Sequence, residues 1–340
     1  MFTSLPLPLV IVIYILCAAG VVFCTVKASN HIDEIDSKTN IGSAVLGGIL
    51  LAAVTSLPEL ITSIVSVTTV GQPELAIGNI FGSNLFNMMI LCLADVVFIR
   101  KTVLLNADKG NKYSNFFTLI MYLIVMVPCF LIRYLIKPEG FTGFTWFSLI
   151  SVAIAIVYVI NAVVSAKINN SSDENEESEE QPQSIKKNVI WFVVWSICLV
   201  GISILITNAT EAINAKLQLD ASFAGALFLG VATSLPELTS VFNLVRLNNA
   251  PAAIGGITGS SLFNITIITV ADFVSSKNIY SYIYSTDAIN PIILLILGLI
   301  SVLILMYSFL RKNVKNKILY IIPSVLVIGC YLTYIIISTL

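Results

Sequence analysis

Apolar runs of about 20 residues, the length a helix needs to cross a bilayer core, recur along almost the whole chain. Ten are marked out by length and hydropathy, at 6–26, 42–70, 75–98, 115–136, 145–166, 188–207, 221–246, 251–274, 289–310 and 318–339. Only 11% of the residues are charged, well under the roughly 25% of an average soluble domain. The fold class that follows is an all-α integral membrane protein. A formal net charge of −1 excludes the basic footprint of a nucleic-acid binder. Cys17, Cys24, Cys92, Cys129, Cys198 and Cys330 fall in apolar runs without a C-x-x-C spacing and read as buried thiols. With His31 the single histidine, a transition-metal cluster and a resident cofactor are not expected.

Between the fifth and sixth runs lies NNSSDENEESEEQPQSIKK, an acidic stretch with nothing to fold around. It is read as a solvated linker, 167–187, between a first half, 1–166, and a second half, 188–340. Placing the N-terminus outside puts 14 of the 18 basic residues in loops on the inner side, leaving Arg133, Lys137, Lys216 and Lys277 outside. The positive-inside rule therefore predicts both termini extracellular and the acidic linker cytoplasmic. The short loops fit a prokaryotic plasma membrane.

The hexapeptide TSLPEL occurs at 55–60 and again at 233–238. Downstream of the first copy comes GNIFGSNLFNMMILCLADVVF, and downstream of the second GGITGSSLFNITIITVADFVS. Two blocks matching at nearly constant offset mark an internal repeat. Five spans separate each element from its counterpart, and five is odd, so equivalent helices cross the membrane in opposite directions. Inverted repeats with discontinuous helices are the architecture of secondary transporters, which hold substrate near the midplane between the halves.

Within a helix, proline removes one amide donor and crowds the carbonyl four residues back, so Pro58 and Pro236 should release the carbonyls of Val54 and Ala232. Thr55 and Ser56, and Thr233 and Ser234, add hydroxyls. One turn beyond each threonine stands a carboxylate, Glu59 and Glu237, and no lysine or arginine interrupts the apolar run around either. Ser83 and Asn87, and Ser260 and Asn264, are spaced four apart and share a helix face. Gly78 and Gly82, with Gly255 and Gly259, have the spacing that lets membrane helices approach closely. These are hard oxygen donors, which select Na⁺, Ca²⁺ or Mg²⁺. Two ionised glutamates are neutralised by one Ca²⁺, two Na⁺ or two protons, and leaving both bare at the midplane is expensive, which suits obligatory exchange.

TSLPEL with GSNLFN, and TSLPEL with GSSLFN, resemble the two alpha-repeats of the cation/calcium antiporter superfamily, most closely its prokaryotic sodium/calcium exchanger branch. The resemblance implies a Ca²⁺/Na⁺ antiporter working by alternating access, with the first and sixth spans sliding against the rest. It implies Glu59 and Glu237 as central ligands and the Thr55 and Thr233 carbonyls completing the Ca²⁺ site. Ser56, Ser234, Ser83 and Ser260 would form flanking Na⁺ sites, with Asn87 and Asn264 between the glutamates. Two departures stand out: Val54 and Ala232 replace a customary glycine, and Asn264 stands where some exchangers carry aspartate. A Ca²⁺/H⁺ or other divalent-cation/H⁺ antiporter is the alternative, and a cation channel the rival from another class. Asp95 and Asp272, matched acids eight residues beyond the asparagines, read either as helix-end acids or as cation attractors at the two mouths.

Overall fold

A computed structural model describes residues 2–39, 55–136, 149–170, 186–275, 278–284, 289–312, 314 and 316–339. The described residues are helical, with no strand among them. In order they form α1 (Leu7–Thr39), α2 (Leu57–Val65, prolonged by a wide π turn, Ser66–Val70), α3 (Pro73–Val97) and α4 (Lys109–Leu131). Then come α5 (Leu149–Asn170), α6 (Lys186–Leu217), α7 (Ala221–Thr233), α8 (Leu235–Arg246), α9 (Ala250–Val274), α10 (Asn290–Leu310) and α11 (Lys317–Thr339). Among the described residues seven helices are long and apolar enough to cross a bilayer, or eight if α7 and α8, bent by 46°, form one broken span. Two of the predicted runs are represented by shorter apolar helices, Leu57–Val70 and Leu149–Ser165. Residues 42–54 of the second predicted run, Val54 among them, 145–148 of the fifth, 171–185 of the predicted linker, and Lys137 and Lys277 lie outside the described residues.

Two helices outrun their predicted spans. α1 continues to Thr39 instead of ending near 26, and α6 to Leu217 instead of 207. Neither extension contains glycine or proline, and a helix satisfies its own amides in water as it does in lipid, so apolarity ends before the helix does. The starts are set locally. Asp108 accepts from the Asn111 amide (2.7 Å) to cap α4, and Asp220 accepts from the Phe223 amide (2.9 Å) to cap α7. Gly71, in the left-handed region at φ 73°, turns the chain between the end of α2 and Pro73, the first residue of α3.

The burial pattern is that of a membrane protein. Ile15, Leu16, Ile197 and Leu319 are exposed, while Ser83, Asn87, Ser260 and Asn264 are buried. Helices α3 and α9 form the centre and pack on each other; α3 also meets α7, α10 and α11, and α9 meets α4, α5 and α8. Helix α1 lies along α6, and this pair has its own small apolar clusters, such as Cys17, Ala18 and Ile206 with Leu229 and Ala232 of α7. Of the cysteines predicted to be buried, Cys198 is instead exposed on α6 and Cys330 is half-buried. One face of a lipid-bathed helix is as apolar as another, so sequence alone did not separate them.

Candidate cation site

Both TSLPEL segments take the same backbone geometry at their serines, and in the second copy this is the break between α7 and α8. Ser56 takes φ −93°, ψ 10°, and Ser234 takes φ −92°, ψ 5°. Each serine carbonyl accepts from the amide of the fourth residue of the next helix, Leu60 (3.1 Å) and Leu238 (3.2 Å). The prolines sit in the first turn of α2 and α8, where an amide is surplus in any case. The break is thus sharper than the proline kink expected from sequence. Around it the hydroxyl-bonded carbonyls are those of Leu229, from Thr233 (2.8 Å), and Gly230, from Ser83 (3.3 Å), rather than that of Ala232.

S-L-P-E has the form of a capping box, yet neither serine hydroxyl caps its helix. The hydroxyls are used between the repeats. Ser234 donates to Glu59 Oε1 (3.4 Å), and Ser56 Oγ lies 3.0 Å from Ser260 Oγ. Ser260 also donates to Glu237 Oε1 (3.2 Å) and accepts from Asn87 Nδ2 (3.4 Å). Ser83 Oγ lies 3.4 Å from Thr233 Oγ1. Glu59, Ser56, Ser83, Asn87, Thr233, Ser234, Ser260 and Asn264 are all buried, Glu237 is 5% exposed, and Thr55 is half-buried one residue before the break.

Four oxygens in this group are left over. Glu59 Oε2, Glu237 Oε2, Asn87 Oδ1 and Asn264 Oδ1 are buried without a hydrogen-bond partner. A buried carboxylate oxygen left unpaired costs several kcal/mol. The arrangement is therefore one that a desolvated cation stabilises. The half-helix ends favour the same charges: backbone amides open α2 and α8 beside the glutamates, while the carbonyl end of α7 offers oxygen to a cation.

Asn79, one turn before Ser83 on the same face of α3, was not singled out from the sequence. Its Nδ2 donates to the Glu59 carbonyl (3.2 Å), Thr62 Oγ1 (2.8 Å) and Ser63 Oγ (3.0 Å). Asn84 Nδ2 likewise reaches across to the Ser261 carbonyl of α9 (3.0 Å). The signal was the spacing Asn79, Ser83, Asn87; Gly256 stands at the matching place in the second copy, so a search for matched pairs passes over it.

Asp95 and Asp272 are not at open mouths. Asp95 accepts from Tyr320 Oη, Ser324 Oγ (2.6 Å) and the Leu104 amide (3.3 Å). Asp272 accepts from Ser151 Oγ (2.8 Å) and the Ile279 amide (3.1 Å). Both are buried, which removes the reading that they attract cations from solution.

A protein described as an uncharacterized membrane protein of Methanocaldococcus jannaschii is 24% identical over 227 residues, 66% of this chain and 68% of that one. The solved sodium-calcium exchanger NCX_Mj shares the fold at a TM-score of 0.62 and 18% identity, over 97% of this chain and 99% of that chain. YfkE aligns at 0.65 and 14% identity, covering 99% and 98%, and the H⁺/Ca²⁺ exchanger CAX at 0.60 and 17%, covering 97% and 88%. The family profile described as sodium/calcium exchanger protein matches residues 9–166 and 187–340, so nearly the whole chain is accounted for, and the protein belongs to the sodium/calcium exchanger family.

Proposed function

We propose that the chain exchanges Ca²⁺ for Na⁺ across a prokaryotic plasma membrane, through ten spans arranged as two oppositely directed five-helix halves with both termini outside. The observation that carries this is the pair of unpartnered carboxylate oxygens, Glu59 Oε2 and Glu237 Oε2, buried beside Asn87 Oδ1 and Asn264 Oδ1. Two carboxylates balance one Ca²⁺, and the amide and threonine oxygens, with backbone carbonyls at the breaks, approach the six to eight flexible ligands that Ca²⁺ takes. Ser56, Ser234, Ser83, Ser260, Thr55 and Thr233 complete the ligand set and supply flanking Na⁺ positions. With Asn264 in place of a third acid the site carries two negative charges, which two Na⁺ neutralise on the return step. An empty site keeps its charge in hydrocarbon, so reorientation without cargo is suppressed and transport is coupled. The Na⁺/Sr²⁺ soaks of NCX_Mj support ions of this size and charge as cargo.

Uptake of radiolabelled Ca²⁺ into vesicles holding the full chain tests the reading. An outward Na⁺ gradient is expected to drive uptake, and Glu59→Gln or Glu237→Gln to abolish it while the protein still inserts and stays helical. Uptake that follows a pH gradient and ignores Na⁺ identifies a proton-coupled exchanger, and uptake indifferent to both identifies a channel.

A further inference from the structure

The exchange mechanism leaves Asp95 and Asp272 unused. They lie at the last turns of α3 and α9, where the carbonyl end of the helix opposes a negative charge. Capping of their own helices does not account for them. Their hydrogen bonds do. Ser324, which donates to Asp95, is on α11, and Ser151, which donates to Asp272, is on α5. The two serines are themselves counterparts: Ser151 opens SVAIAIVY and Ser324 opens SVLVIGCY. Each acid therefore belongs to one half of the chain and is held by the last helix of the other half.

Both contacts are reinforced from outside. Tyr320 donates to Asp95, and Arg311 holds Tyr320 in turn, donating to its backbone carbonyl (3.0 Å) with the guanidinium 5.6 Å from its ring. On the second acid, Tyr280 Oη lies 3.0 Å from Ser151 Oγ, and Thr269 of α9 donates to the Ser151 carbonyl (3.3 Å). The Leu104 and Ile279 amides add the segments that follow α3 and α9. A carboxylate suits this place because it accepts several donors at once, in charge-assisted bonds roughly twice as strong as neutral ones.

We propose that Asp95 and Asp272 form a matched cross-repeat clamp that fixes α3 and α9 in depth, and so are positioning residues for the Ser83/Asn87 and Ser260/Asn264 ligand faces. Each acid is eight residues, about 12 Å, along the helix from its asparagine. A slip of one residue moves a ligand by about 1.5 Å, more than a coordination shell tolerates. The clamp rests on the cation-exchange reading and adds to it how ligand spacing is set. Helices α3 and α9 also touch directly, through Asn84 and Ser261, so pinning each to a different outer helix fixes their mutual register.

The test measures Ca²⁺ and Sr²⁺ KM and maximal rate in vesicles for the wild type, Asp95→Asn, Asp272→Asn and the milder Ser324→Ala and Ser151→Ala, with thermal stability in detergent alongside. The expected result is Ca²⁺ KM raised about tenfold, as for partners that orient metal ligands, a changed Sr²⁺/Ca²⁺ KM ratio, and a maximal rate per folded molecule within about twofold of wild type. Asp95→Asn and Ser324→Ala together should cost no more than the worse of the two, because they break one contact. Unchanged KM in all four variants with only the folded yield reduced, or strictly additive effects, overturns the clamp. A wild type that does not exchange Ca²⁺ overturns the functional reading along with it, whereas an active wild type with unaltered variants removes the clamp alone.

Discussion

Asn79 reaches from α3 into the first turn of α2 and donates to the carbonyl of Glu59 itself, as well as to Thr62 and Ser63. The first turn of α2 is thus tied down at Glu59 itself. In the second copy Gly256 occupies the place of Asn79, is exposed, and has nothing within 4 Å of where a Cβ would stand. The two glutamates are chemically alike and mechanically different, with Glu59 fully buried and Glu237 5% exposed. Side-chain hydrogen bonds between membrane helices are worth about 0.6 kcal/mol each, so losing three costs about 2 kcal/mol and caps the loss of affinity near thirtyfold. Asn79→Ala is therefore expected to leave the protein folded, raise the Ca²⁺ KM about tenfold, and spare the maximal rate; an unchanged KM in the vesicle assay would show that the turn holds Glu59 without help. Glu59 and Glu237 were legible because TSLPEL repeats and because an acid in an apolar run has few innocent explanations. Asn79 was not, because only one half of the chain carries it, and its bonds form to a turn whose geometry no spacing rule specifies.

At the scale of elements, α3 and α7 touch backbone to backbone. A Cβ on Gly78 would stand 1.9 Å from the Ser222 carbonyl oxygen, and one on Gly82 2.4 Å from Ala226 Cα. From the other side, Gly225 would meet the Leu75 oxygen at 2.3 Å and Gly230 the Ser83 amide at 2.9 Å. The spacing of Gly78 and Gly82 announced a close approach from sequence alone, whereas a Cβ on Gly255, given the same reading with Gly259, would meet only the Asn111 side chain, at 3.0 Å. Gly225 and Gly230 did not announce theirs, because they lie five apart and share a face only through the wide turn Gly225–Leu229. This contact also sets Ser83 against the Gly230 carbonyl, so packing and the site's geometry are one matter. Lipid is as apolar as the helices, so close packing supplies the association energy that water supplies to a soluble core. Gly82→Ala should force the helices apart at a cost of about 1–3 kcal/mol, seen as a lower unfolding temperature in detergent. Gly201→Ala, where nothing lies within 4 Å, is the matched control and should leave that temperature unchanged; equal behaviour of the two would mean that α3 and α7 yield without cost.

Over the whole molecule, α1 and α6 stand apart from the remainder. They lie along each other, with Gly20 against Ile202 and Val21 and Cys24 against Leu199. The all-helical membrane class was evident from sequence. The grouping of α1 with α6 came only from the family resemblance and not from their own residues, because the apolar stretches of both carry no stripe that names a neighbour. Each member meets a TSLPEL-bearing helix of the other half: α6 lies against α2, whose Leu57 packs on the cluster of Val21, Cys24 and Leu199, and Tyr14 of α1 donates to the Phe228 carbonyl of α7 (2.7 Å). If alternating access moves α1 and α6 as one body, contacts within the pair persist through the cycle while contacts to α7 exchange. Paired cysteines in a chain with its six native cysteines replaced separate these cases. Linking positions 20 and 202 by Gly20→Cys with Ile202→Cys should leave Ca²⁺ exchange within about twofold of the reduced protein. Linking positions 14 and 228 by Tyr14→Cys with Phe228→Cys should halt exchange until the bond is reduced, because sliding of several ångströms is incompatible with a disulfide whose Cα atoms stay within about 7 Å. Exchange that continues with the second link closed would place the moving boundary elsewhere, and exchange that stops with the first would make α1 and α6 slide past one another.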